Sequence, residues 1–74
     1  MNWLLIAEAH EKAAKGLHET ADGYEVMARQ YPSDRERYLA DARRVRERAE
    51  WCEDRAEMYR GMAETDSPKH SKAA

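Results

Sequence analysis

Residues with seam character recur at alternating spacings of three and four along both halves of the chain. From Trp3 the series runs Trp3, Ala7, His10, Ala14, Leu17, Ala21, Tyr24, Ala28 and Tyr31. From Arg35 it runs Arg35, Tyr38, Ala42, Val45, Ala49, Cys52, Ala56, Tyr59 and Ala63. That spacing marks one face of an α-helix. In each half an alanine falls at every second step, seven residues after the last. Tyr31-Pro32 separates the two series, because a residue before proline avoids the α region.

The pattern predicts an all-α fold, a two-helix antiparallel hairpin with an alanine-rich coiled-coil seam. Helix 1 is expected over about residues 3–30, a turn over 31–33 and helix 2 over about 34–64. Asn2 is a suitable N-cap for the first helix. Ser33 and Glu36 have the spacing of a capping box for the second. Residues 1–66 form one domain in this reading, and 67–74, with no apolar anchor, form a disordered tail.

A turn this short makes the helices antiparallel neighbours. Facing residues then have numbers adding up to about 66. Ala28 faces Tyr38, Tyr24 faces Ala42, Leu17 faces Ala49, Ala14 faces Cys52 and Ala7 faces Tyr59. Each of these layers sets a small residue against a larger one, which lets two helices interdigitate at close range.

Beside the seam, each helix has two unlike flanks. On helix 1, Ile6, Ala9, Ala13, Gly16, Thr20, Gly23 and Met27 are uncharged and mostly small. The other flank, Glu8, Glu11, Lys15, His18, Asp22, Glu25 and Arg29, is polar throughout. On helix 2 one flank is largely charged, from Leu39 through Arg46 and Glu53 to Glu64. The other carries Arg37, Asp41, Arg44, Arg48, Trp51, Arg55, Met58 and Met62. Antiparallel packing puts the small stripe and the Trp51 stripe on one side.

That side is the expected binding face. Gly16 and Gly23 each cost about 1 kcal/mol relative to alanine inside a helix. Glycines repeated at heptad spacing on such a stripe suit close approach by another helix. Tryptophan and methionine suit a contact surface. The expected partner-binding residues are Ile6, Ala9, Ala13, Gly16, Thr20, Gly23, Met27, Trp51, Arg55, Met58 and Met62. The apolar end around Trp3, Leu4, Leu5, Ile6, Met58 and Met62 offers a second grip. A lone hairpin is marginal in water, so a homodimer pairing into a four-helix bundle is expected.

Composition narrows the classes. The chain has 74 residues, 38% of them charged, with no phenylalanine and a net charge of −2. One cysteine, Cys52, excludes an intrachain disulfide. The N-terminal apolar run is too short, and lacks the basic start, for a signal peptide. A cytoplasmic location with reduced Cys52 is the expectation.

Charge along helix 2 is uneven. Six arginines against three acids give residues 35–48 a net +3, while residues 49–66 carry −4. The Arg-rich turn end, with Arg37, Arg44 and Arg48, is therefore a possible nucleic-acid contact. Interleaved acids and the lack of a recognised DNA-binding pattern weigh against it.

Enzymatic chemistry has little to stand on. His10 lies one layer from Cys52, but two ligands without Cys-x-x-Cys or Glu-x-x-His spacing do not make a metal site. His18 and Asp22 are expected to form a surface pair, and Tyr24, Tyr31 and Tyr38 to cap the turn. No nucleophile has a base and an orienting group. No cofactor or metal is expected. The sequence reads as a non-enzymatic protein–protein interaction module, a small self-associating adaptor or inhibitor of the phage accessory type. The alternatives are a nucleic-acid-binding regulator and a structural bundle subunit of a larger assembly.

Overall fold

The computed structural model describes residues 1–65; the expected tail, 67–74, lies outside them. Helix α1 spans Trp3–Gln30 and helix α2 spans Arg35–Thr65, joined by Tyr31 and a 3-10 turn over Pro32–Asp34. No strand occurs among the described residues. The two helices pack against each other as a hairpin. Neither is long and apolar enough to cross a membrane.

The start of α1 follows local chemistry. The Asn2 side-chain oxygen accepts from the Leu5 N–H at 3.0 Å, satisfying one of the amides that a helix start leaves unpaired. At the other end Tyr31 leaves the helical region at φ −125° and ψ 77°, as a residue before proline must. Its N–H still closes the last turn onto the Met27 carbonyl at 2.9 Å.

The capping box at Ser33 and Glu36 does not form. Ser33 lies inside the 3-10 turn, where Asp34 N–H donates to the Tyr31 carbonyl at 2.9 Å. A capping serine must sit just outside the helix in an extended conformation. Pro32, pre-set for a first helical position, starts the turn early and carries Ser33 into it.

The core is a line of small side chains. Ala7, Ala14, Ala21, Ala28, Ala42, Ala49, Cys52 and Ala56 are buried, and Ala49 is wholly so. Cys52 is a free thiol within this line. Ala14, Ala49 and Cys52 cluster together with Leu17 against them, the layers expected from the fold-back register. The aromatic contacts agree. Tyr59 stacks on both Trp3 and His10, at ring distances of 5.6 and 5.5 Å, and so spans the Ala7 layer. Tyr38 sits between Tyr24 and Tyr31 at 6.4 and 6.3 Å, spanning the Ala28 layer.

No large side chain is fully buried among the described residues. Trp3, His10, Leu17, Tyr24, Tyr38, Val45 and Tyr59 are only half-buried. Two helices meeting along alanines leave no third wall, so larger seam residues lean outward over the small ones. Their outer edges stay in water.

Candidate functional site: two unlike faces

The charged flanks of the helices meet on one side of the seam. Arg60 Nε and Nη2 donate to the two oxygens of Glu11, both at 2.6 Å. This bidentate geometry is the strong form of a guanidinium–carboxylate pair. It holds the Glu11 carboxyl below its ordinary range and raises the Arg60 guanidinium. Arg46 Nη2 lies 2.6 Å from Asp22 and 3.2 Å from Glu25. Those carboxylates, Asp22 first, raise the Arg46 guanidinium too.

Arg46 Nη1 also lies 3.0 Å from His18 Nδ1, and His18 Nε2 lies 3.2 Å from Glu53. Since arginine can only donate, Nδ1 accepts from Arg46 and Nε2 faces the Glu53 carboxylate. His18 and Asp22 are thus not paired with each other as expected. Arg46, reaching across from α2, takes both. A spacing rule within one helix could not show that third group.

The remaining flanks face the opposite side. There the α1 stripe is open: Ala9, Ala13, Gly16, Thr20 and Gly23 are exposed, while Ile6 and Met27 are half-buried. A methyl group added at Gly16 or Gly23 would meet nothing within 4 Å. Neither glycine is therefore required by packing within the hairpin. The Thr20 hydroxyl turns back to donate to the Gly16 carbonyl at 3.1 Å, leaving little polar projection on the stripe.

On α2, Trp51 is 40% exposed but is not a bare apolar anchor. The Arg48 and Arg55 guanidinium carbons lie 4.2 and 4.8 Å from its ring centre. Both are within the range of cation–π attraction. The indole also meets His10 across the seam, at 5.9 Å and 71°. Arg48 was expected as a possible nucleic-acid contact; the structure sets it beside Trp51 with Arg55. The signal was available, because positions three before and four after a residue share its helical face.

Toward the open end, Met58 and Met62 are exposed and, with Trp3 and Gly61, line a shallow apolar groove. Toward the turn, Arg44 pairs with Asp41, and Arg37 lies over the Tyr38 ring at 5.1 Å. Arg37 and Arg44 thus share one flank with Arg48, but each has its own local partner. His10, considered beside Cys52, sits against the Tyr59 and Trp51 rings. Among the described residues no group of three or more His, Cys, Asp or Glu is placed to hold a metal ion.

Charge is segregated between the faces. The Trp51 face carries Arg37, Arg44, Arg48 and Arg55 against Asp41 alone, a net +3. The opposite face has eight acids against five bases, a net −3 with histidines neutral. Arg46 and Arg60 on that face are neutralised across the seam. Arg48 and Arg55 form no ion pair among the described residues. No family model, curated protein or solved structure matches the chain.

Proposed function

We propose that this chain is a non-enzymatic protein–protein interaction module, an adaptor or inhibitor that acts by occupying a surface of a target protein. The observation that carries the reading is the open side of the hairpin. An uncharged stripe with room above Gly16 and Gly23 runs beside exposed Trp51, Met58 and Met62. Exposed apolar side chains gathered on one face mark contact sites more often than they occur by chance. A cytoplasmic setting and an accessory role in blocking a larger complex belong to the same proposal.

Pairing of two copies into a four-helix bundle is the second reading. It is favoured by the thin core, which among the described residues is seven alanines and one cysteine with no large side chain fully buried. A domain this small commonly gains stability from a second subunit.

Site-specific photocrosslinking in living cells tests the face. A crosslinking amino acid placed at Gly16 is expected to yield a discrete product, either with another protein or with a second copy. The same group at Lys15, on the charged flank, is expected to yield none. Equal products from both positions, or none from either, would sink the reading.

A further inference from the structure

The two broad sides of the hairpin differ in how their arginines are held. Arg46 and Arg60 each lie against carboxylates of α1. Arg48 and Arg55 instead stack against Trp51 and keep their charge uncompensated among the described residues. A guanidinium over an indole retains its in-plane donors, so it can stack and bind a carboxylate together. Asp41 is the one acid in the α2 stripe that carries Trp51, and Arg44 already occupies it.

We infer that this face receives an acidic amphipathic helix of another protein, an inference that rests on the interaction-module reading above. Complementary charge selects the partner's sign, since like charges across an interface cost several-fold in affinity or more. A second copy set symmetrically on the face brings the same four arginines into the contact with only its own Asp41, so charge opposes that occupant. The groove lined by Trp3, Met58 and Met62 adds an apolar end that a phosphate backbone would leave unfilled. Gly16 and Gly23 give a helix room to come close. The partner's carboxylates meet Arg48 and Arg55 while its apolar stripe lies along α1.

The test uses fluorescent helical peptides of about three heptads. All share one leucine–alanine stripe, with the polar positions filled by Glu, Gln or Lys. A short DNA duplex is the fourth probe. Each is titrated against the full chain by anisotropy. The Glu peptide is expected to bind about tenfold tighter than the Gln peptide, with the advantage shrinking as salt rises to about 0.3 M. The double variant Arg48→Glu/Arg55→Glu is expected to prefer the Lys peptide. The milder Arg48→Gln/Arg55→Gln is expected to lose the preference and keep full helicity by circular dichroism, which guards against a folding artefact.

Equal binding of the Glu and Gln peptides would overturn the inference. If Gly16→Leu abolished that equal binding, the module reading would stand without its charge rule. DNA binding tighter than any peptide would replace the acidic helix with a nucleic acid. A dimer that is split by Gly16→Leu and excludes the peptides would give the face to a second copy. Failure of every probe, together with no crosslink from position 16, would end both readings.

Discussion

Arg60 grips Glu11 from 49 residues away in sequence, with two hydrogen bonds of 2.6 Å. The pair ties the last turns of α2 to the first turns of α1, where the hairpin has no covalent connection. Because Arg60 favours ionised Glu11, the carboxyl titrates below its ordinary value of 4.5 in the fold. A lowered carboxyl contributes stability above its unfolded pKa and loses it as pH falls through the folded one. Glu11→Gln should therefore lower the melting temperature at neutral pH. The gap from wild type should close as pH drops below about 4.5. A gap that stays constant with pH would mean the pair adds nothing to stability.

Arg46 joins three α1 side chains, Asp22, Glu25 and His18. Its replacement by Gln leaves those groups without their common cation. The variant should melt earlier than wild type at low salt. The difference should narrow near 1 M salt, where exposed charges are screened over about 3 Å. Melting curves at the two salt concentrations decide it.

Ala49 is wholly buried at the centre of the seam, against Leu17, Ala14 and Cys52. Ala49→Leu adds volume with no space to take it, and overpacking of this kind costs about 1–3 kcal/mol. Ala13→Leu, on the exposed stripe, should leave unfolding nearly unchanged. Urea denaturation of the two variants separates seam from surface. Equal losses would mean the helices are not as close as this register requires.

Gly16 and Gly23 can be tested in the other direction. With nothing within 4 Å of an added methyl, alanine at either position should stabilise the isolated chain. The expected gain is about 0.5–1 kcal/mol, from reduced freedom in the unfolded chain. If a partner helix lies against these glycines, the same variants should bind it less well. A gain in stability with no loss of binding would place the contact elsewhere.

The seam was legible because its rule is one-dimensional. Alanine at every seventh position in both helices, with Pro32 between them, fixes spacing and register together. Tyr59 between Trp3 and His10, and Tyr38 between Tyr24 and Tyr31, are the contacts that register requires. The turn was less legible. Proline at a first helical position and serine at a cap compete for the same bend, and the proline's fixed backbone angle prevailed. The faces were legible as stripes but not as networks. Spacing puts Arg48, Trp51 and Arg55 on one side, yet whether an arginine stacks on an indole or crosses to a carboxylate depends on what the other helix offers. Arg46 found Asp22 and Glu25 across the seam; Arg48 and Arg55 had a small, uncharged stripe opposite and turned to Trp51.

The tyrosine cluster at the turn sets an order of assembly. Each layer beyond it joins residues farther apart along the chain, and the entropy of closing the intervening loop rises accordingly. The hairpin should therefore zip from Tyr31 and Tyr38 outward, closing Trp3 against Tyr59 last. Amide hydrogen exchange should be slower in the seam layers nearest the turn than in those at the open end, and fastest around residues 3–6 and 58–65. The groove beneath Met58 and Met62 thus lies at the end expected to close last and open first, so a ligand seated there would bear directly on how long the hairpin stays shut.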